Sequence, residues 1–193
     1  VTWEELRTRY DAVVVATGAT VPRDIAIPGR DLGGVEFAMD YLVASNKAVA
    51  GDDVPDQVTA AGKHVVVIGG GDTGADCVGT AHRQGALSVT NLAIGTQPAA
   101  SRTDAQPWPT TPTIFEVQSA HEEGGERVYL ASTVEFLGDD QGRVRALRVA
   151  ETEYVDGRRV PKGGTEREIP ADLVLIAMGF TGPERHSLET QLG

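Results

Sequence analysis

Residues 63–86, KHVVVIGGGDTGADCVGTAHRQGA, decide the fold. The apolar, β-branched run over residues 63–68 predicts a buried strand, and a helical pattern follows the glycine cluster from about residue 72 to 84. Gly85 ends that helix, and residues 88–94 read as a second strand. Strand, helix and strand in this order form a βαβ unit, so the sequence predicts an α/β fold with a parallel sheet.

Gly69, Gly71 and Gly74 form a G-x-G-x-x-G pattern between the strand and the helix. This context gives each glycine a role: a sharp turn at the first, room for a pyrophosphate at the second, and close packing of helix on sheet at the third. Free N–H groups at the helix N-terminus face the phosphates of a bound dinucleotide. The alternative is a glycine-rich turn that binds nothing.

Gly70, Asp72 and Thr73 complete the predicted phosphate loop. Thr73 is a candidate donor to phosphate or ribose, and Asp72 a candidate for orienting the loop or the nicotinamide half. Both residue types also favour the N-cap of a helix, so a purely structural role for them stays open.

The second strand of the βαβ unit indicates which nucleotide binds. An NAD site usually carries an acidic residue at its end, whereas Asn91, Ala93 and Gly95 stand there in this sequence. A missing acid removes repulsion of a 2′-phosphate, and Arg83 and Arg102 are candidates to bind it, although each could be an ordinary surface arginine. We therefore predict NADPH over NADH.

Other segments extend the fold. Residues 10–19 (YDAVVVATGA) and 171–180 (ADLVLIAMGF) share a pattern that suits buried parallel strands entering tight turns. Residues 35–45 predict a helix with Val35, Met39, Leu42 and Val43 on its apolar side, and residues 51–62 a surface connector.

The second half of the chain changes character. Residues 95–112, rich in Pro, Ser, Thr and Gln, predict a long surface loop, and residues 114–123 a short helix. Three alternating runs, VYLASTVEFL, RVRALRVAETEYV and TEREI, then predict antiparallel strands. The fold class is α/β: a Rossmann-like three-layer parallel sheet with an inserted antiparallel β-meander.

Composition excludes several functions. In 193 residues, 17 basic against 28 acidic side chains give a net charge of −11, which disfavours nucleic acid or an anionic membrane as partner. No apolar run approaches the roughly 18 residues of a membrane span, and we see no secretory signal, so we expect a soluble, cytoplasmic protein.

Cysteine and histidine spacing disfavours metal and disulfide chemistry. The single cysteine, Cys77, excludes an internal disulfide, a CxxC pair or a multi-cysteine cluster, and we interpret it as a small core residue. The scattered histidines lack metal-ligand spacing, so we expect no metal site.

The chain resembles, over nearly its whole length, the small (β) subunit family of NADPH-dependent glutamate synthases, which are pyridine nucleotide–disulfide oxidoreductase-like flavoproteins. The resemblance is carried by VIGGGDTGADCVGTAHRQGA, by YDAVVVATGA followed by PRDIAIPGRDLGGVEFAMDYL, and by PWP, AHEEGGER and ADLVLIAMGFTGPE.

The resemblance implies an NADPH domain inserted into an FAD domain. Ala16, Thr17 and Gly18 would then be the turn near the flavin, and Ala177, Met178 and Gly179 the exit turn beside the nicotinamide. Residues 1–20 would be a remnant of the FAD domain, 21–62 a connector and entry helix, 63–180 the NADPH domain, and 181–193 the return segment.

The resemblance also implies the chemistry: hydride passes from NADPH to FAD, and electrons pass through iron–sulfur clusters to a large (α) subunit that makes glutamate from glutamine and 2-oxoglutarate. The FAD fingerprint and the cysteine-rich region of the family are missing here, so FAD and iron–sulfur clusters are expected only in the full-length protein. Hydride transfer needs positioning rather than an acid–base pair, and we assign no catalytic residue. The isolated chain is expected to bind nucleotide without turning over.

Two alternatives stay open. One is the NADPH module of a related flavin and iron–sulfur reductase linked to ferredoxin or a pyrimidine-reducing partner. The other is a non-catalytic nucleotide-sensing or interaction domain whose acidic surface docks a basic partner.

Overall fold

The computed structural model describes residues 1–192, and these fall into two compact units. The smaller unit combines Val1–Arg23 with the chain from Gly179 onward, and the larger is Asp24–Met178. No helix among the described residues has the length and apolarity that crossing a bilayer requires.

The smaller unit contains short elements. Helix α1 (Trp3–Arg9) begins at a capping box in which Thr2 Oγ1 accepts a hydrogen bond from the Glu5 backbone N–H and the Glu5 carboxylate accepts one from the Thr2 N–H. Strand β1 (Val21–Pro22) pairs antiparallel with β11 (Phe180–Gly182), and helix α5 (His186–Leu192) ends the unit.

The predicted buried strand over residues 10–19 is wrong. Residues 12–20 have no regular structure, and Val13, Val14 and Val15 are 39%, 88% and 43% exposed. A parallel strand needs hydrogen-bonding neighbours, and nothing within residues 1–192 pairs with this run.

A five-stranded parallel sheet forms the centre of the larger unit. Its order is β2 (Val35–Phe37), β10 (Leu173–Ile176), β3 (His64–Ile68), β4 (Ser88–Leu92) and β5 (Glu126–Val128). Every neighbouring pair is parallel. Helices α2 (Ala38–Val49), α3 (Asp72–Arg83) and α4 (Ser119–Glu122) belong to the same unit. The predicted strands on both sides of α3 and the final strand are therefore confirmed.

An antiparallel sheet is inserted between β5 and β10. The long strand β7 (Val144–Val155) pairs with β6 (Ala131–Gly138), β8 (Arg158–Pro161) and β9 (Arg167–Pro170). The three predicted runs contribute β6, β7 and β9, whereas β8 lies between the second and third runs and was not predicted. Strand β9 pairs with β7 instead of with β8. The first run is divided because Val128 belongs to the parallel sheet and Leu130 turns the chain with a φ of +53°. The predicted α/β fold class with an antiparallel insertion is confirmed.

Alternation along β3 separates two hydrophobic cores. Val65 and Val67 pack in the core with α2 and α3, whereas Val66 and Ile68 pack in the core with the antiparallel sheet. Successive side chains of a strand point to opposite faces, so a strand covered on both sides reads as a continuous apolar run. This is why HVVVI carries no alternating pattern in the sequence.

Two predicted helices have other bounds than expected: the first is shifted toward the C-terminus, to Ala38–Val49, and the second is shorter. Val35 lies in β2 rather than in a helix, because it pairs with β10, and Met39 and Val43 are 41% and 43% exposed. The buried positions of α2 are Ala38, Tyr41, Leu42 and Ser45. The helix expected over residues 114–123 covers only Ser119–Glu122, since Ile114 forms a bridge with Ala99.

Candidate functional site

The carboxyl ends of the parallel strands meet at one edge of the sheet, where ligands of open α/β folds bind. Gly69–Gly71 follow β3, Ala93–Gly95 follow β4, and Tyr129 follows β5. The predicted phosphate loop and the predicted nucleotide-selecting strand end are therefore brought to the same edge.

Two glycines of the loop are fixed by packing against the protein. A Cβ on Gly69 would lie 2.1 Å from the Ala177 carbonyl oxygen, and Gly69 has a φ of +128°. A Cβ on Gly74 would lie 2.2 Å from the Gly69 carbonyl oxygen. Real Cβ atoms do not approach oxygen so closely, so these positions require glycine for the fold itself.

Gly71 differs from both. A Cβ there meets nothing within 4 Å, and its φ of −92° and ψ of −172° are open to any residue. Neither packing nor backbone conformation therefore requires glycine at this position, whereas a ligand lying against the backbone would require it.

Helix α3 begins beside the loop without a side-chain cap. Its N-cap is Gly71, and no side chain makes a capping hydrogen bond. The alternative that Asp72 or Thr73 serves as the N-cap is wrong; the Asp72 carboxylate instead accepts a hydrogen bond from Gln118 Nε2 at 2.5 Å. The first N–H groups of a twelve-residue helix remain free to meet an anion.

Asn91 connects β4 to the phosphate loop. Its side chain is buried, and its Nδ2 donates to the Gly69 carbonyl oxygen at 2.8 Å and to the Val67 carbonyl oxygen at 3.3 Å. In the sequence, Asn91 is notable only because it stands where an NAD site usually has an acidic residue. In the structure its side chain is directed toward the loop. Its one sequence signal is its position between Val89 and Ala93, on the apolar face of an alternating strand.

Replacing Asn91 by leucine, which is similar in size, is expected to lower the free energy of unfolding by about 1–3 kcal/mol, because the Val67 and Gly69 carbonyls lose a donor. Urea unfolding measures this loss. Asn46→Leu is the matched control, since Asn46 is exposed on α2. Equal stability of the two variants would show that the bonds to Gly69 and Val67 contribute nothing.

A cavity of about 300 Å³ opens beside the loop. Its lining includes Gly70 and Asp72 from the glycine loop, Ala93 after β4, and Phe115, Arg127 and Tyr129. Thr96 and Pro98, which belong to the predicted surface loop, also form part of its wall. The volume is at the lower end of the range for small-molecule sites.

Arg127 supplies positive charge to this cavity. Its guanidinium donates through Nη1 and Nη2 to the Glu116 carbonyl oxygen, both at 3.2 Å, and stacks 5.2 Å from the centre of the Phe115 ring. Sequence reasoning missed this residue, because only the pairing of β4 with β5 places it at the edge.

His121 also lines the cavity. The residue is only partly buried, but neither ring nitrogen is exposed or has a hydrogen-bond partner in the described chain. Burial, assisted by the nearby Arg127 charge, lowers the His121 pKa below its usual 6.5, so the ring is neutral at pH 7. A neutral imidazole offers one donor and one acceptor to a polar ligand.

The two predicted arginines make contacts of their own. Arg83 forms an ion pair with Glu123 on the outer side of α3. Arg102 Nη1 donates to the carbonyl oxygens of Gln106 and Thr110, each at 2.7 Å, and so holds the 95–112 loop together. Neither lines the cavity. Their contact with a 2′-phosphate stays a prediction.

The turn predicted near the flavin lies in the smaller unit, and the turn predicted beside the nicotinamide is divided between the two units. Ala16–Gly18 and Gly179 lie in the smaller unit, where Gly18 and Gly179 have φ values of +74° and +79°. Ala177 and Met178 lie in the larger unit, and the Ala177 N–H donates to the Ile68 carbonyl oxygen at 2.8 Å.

Cys77 has the predicted core role. Its side chain is fully buried, and burial raises the pKa of its thiol to about 12. A thiol with so high a pKa is not a nucleophile at neutral pH.

The parallel sheet, the glycine loop opening α3 and the cavity at the strand ends define an α/β domain of Rossmann type. The family model for pyridine nucleotide-disulphide oxidoreductases matches residues 2–192. The chain belongs to this family of oxidoreductases.

The chain is similar to the "Glutamate synthase [NADPH] small chain" of Mycobacterium tuberculosis, with 53% identity across 98% of this chain and 40% of that protein. It is also similar to "Glutamate synthase [NADH]" of Schizosaccharomyces pombe, with 42% identity across 97% of this chain and 10% of that protein. The chain thus spans less than half of either relative. The resemblance found in the sequence is confirmed.

A solved structure supports the fold. FprA of Mycobacterium tuberculosis in complex with NADPH aligns with a TM-score of 0.65, at 23% identity, over 95% of this chain and 53% of FprA.

Proposed function

We propose that this chain is the NADPH-binding domain of a glutamate synthase small subunit. The carrying observation is the contrast among the three loop glycines: Gly69 and Gly74 are required by packing, whereas the Cβ position of Gly71 is open. A pyrophosphate lying over Gly71 supplies the reason for glycine there.

The residues at the carboxyl ends of the parallel strands fit the pyrophosphate and the adenosine half of NADPH. The backbone N–H groups of Gly69–Gly74, Thr73 and the start of α3 hold the pyrophosphate, with Asp72 orienting the loop through Gln118. The cavity beside Gly70 takes the adenosine half, where Phe115 and Tyr129 provide apolar surface and His121 a polar contact. When bound, NADPH supplies a hydride.

The role of this chain in the reaction is positioning. Binding at the loop orients the nicotinamide, with Ala177, Met178 and Gly179 beside it, and Ala16, Thr17 and Gly18 contact the FAD domain. In this proposal residues 1–20 and 181–193 are flanks of that FAD domain. Residues 21–62 form a connector and the entry helix, and residues 63–180 are the NADPH-binding domain.

The longer protein adds the remaining parts. It carries FAD and iron–sulfur clusters, works in the cytoplasm with a large (α) subunit, and converts glutamine and 2-oxoglutarate to glutamate. The resemblance at 53% identity supports this assignment.

Titration of the purified chain with NADPH and NADH, followed by nucleotide fluorescence, tests the binding proposal. We expect saturable NADPH binding, with NADH weaker because of its missing phosphate. We also expect no NADPH-dependent dye reduction, since the flavin domain is missing from the residues tested.

Two results contradict this. Failure of both nucleotides to bind favours the non-catalytic interaction domain. Dye reduction by the chain without an added FAD domain refutes the assignment of a positioning role.

A further inference from the structure

One arginine of the antiparallel insertion lies beside the end of β4. A Cβ on Gly95 would lie 3.4 Å from Arg159 Nη2, 3.6 Å from Cζ and 3.8 Å from Nη1. Arg159 is on β8, 64 residues further along the chain, so only the folded insertion brings it to this strand end. Because Gly95 has no side chain, it leaves the face of the guanidinium uncovered.

The guanidinium of Arg159 has no hydrogen bond or ion pair with any of residues 1–192. It lies over the Tyr154 ring, 5.9 Å from the ring centre, on the neighbouring strand β7. This stacking orients the plane and leaves the five N–H donors free. The other arginines near the site differ: Arg83 is paired with Glu123, and Arg102 and Arg127 donate to backbone carbonyls.

The end of the second strand is where Rossmann domains read the 2′ position of the adenosine ribose. Ala93, Gly95 and Thr96 offer no acid to hold a 2′-hydroxyl and no charge to attract a phosphate. In a chain of net charge −11, a free guanidinium at this position is a local exception. Its fork of donors matches phosphate oxygens.

We propose that Arg159 is the residue that selects NADPH over NADH, by binding the 2′-phosphate beside Gly95. The inference rests on the proposed nucleotide function. It is not contained in the family assignment, because relatives named for NADPH and for NADH are both similar to this chain.

The dissociation constants of NADPH and NADH, measured by fluorescence on the full chain, test this inference. Arg159→Ala is expected to weaken NADPH by about 10- to 100-fold, the range for a lost charge-assisted contact, and to change NADH less than about threefold. Arg159→Lys should retain part of the preference, since lysine keeps the charge but loses the fork.

Arg158→Ala is the matched control. It removes the same charge from the adjacent position of β8, whose side chain points to the opposite face of the strand. We expect it to leave both dissociation constants unchanged, and thermal unfolding of each variant verifies that the hairpin is folded.

Several outcomes would overturn the inference. Equal losses of affinity for NADPH and NADH in Arg159→Ala would show that Arg159 contacts a part of the nucleotide that both share. A loss of NADPH affinity in Arg158→Ala equal to that in Arg159→Ala would show that the effect comes from general electrostatics. Loss of selectivity in Arg102→Ala but not in Arg159→Ala would assign the phosphate to Arg102. A wild-type chain that binds both nucleotides equally removes the role of Arg159 while the binding proposal stands; a chain that binds neither removes both.

Discussion

Replacing Gly71 by alanine is expected to weaken NADPH and NADH binding alike by at least about tenfold, or ~1.4 kcal/mol, while leaving the protein folded. The added methyl group meets no protein atom within 4 Å, so the loop keeps its conformation. It occupies the space through which a pyrophosphate approaches the backbone. Because both nucleotides share the pyrophosphate, this variant should not discriminate between them, in contrast to Arg159→Ala.

Stability and binding must be measured on the same preparation. Alanine is a poorer N-cap than glycine, so a loss of about 1 kcal/mol in unfolding free energy is expected and does not explain a tenfold weaker affinity. Unchanged affinity in a folded Gly71→Ala variant would show that no ligand lies against this glycine. The phosphate-loop assignment would then be abandoned.

Replacing Gly74 by alanine has the opposite profile: the protein itself is destabilised, by about 3 kcal/mol. Replacing a glycine inside a helix by alanine ordinarily stabilises the helix by about 1 kcal/mol. Here the new Cβ would lie 2.2 Å from the Gly69 carbonyl oxygen, a backbone atom of a loop that Asn91 also holds. The helix and the loop cannot both keep their places, so the clash outweighs the gain in helix propensity.

Thermal unfolding measures this effect. For a chain of this size, 3 kcal/mol corresponds to a Tm lower by roughly 6–12 °C. Gly163→Ala is the control, since a Cβ there meets nothing within 4 Å and its φ is not positive. A Gly74→Ala variant as stable as the control would contradict the close packing of α3 on β3.

Local patterns in the sequence were sufficient for the central βαβ unit. The strand before Gly69, helix α3 and strand β4 are each decided by residues next to one another in the chain, and their bounds agree with the structure within one or two residues. The G-x-G-x-x-G pattern is equally local. It places Gly69–Gly74 at the carboxyl end of β3, and their binding of phosphate stays a prediction.

Elements that depend on distant partners were predicted less well. The apolar run at residues 10–19 has the composition of a buried strand but no neighbour in the described chain. Val35 has the spacing of a helix, yet pairing with β10 draws it into the sheet. In both cases the same residues fit two states, and the presence or absence of a hydrogen-bonding partner decides between them.

The sequence by itself determined the fold class, the family and the position of the glycine loop between β3 and α3, because strand, turn and helix preferences act over a few neighbouring residues. Only the tertiary structure decided the surroundings of that loop. Asn91 reaches it from the neighbouring strand β4, Arg127 through the pairing of β5, and Arg159 through the folding of the insertion back over Gly95. Side chains from separate segments become neighbours only when the hydrophobic cores on the two faces of the sheet form, and no local pattern records that event.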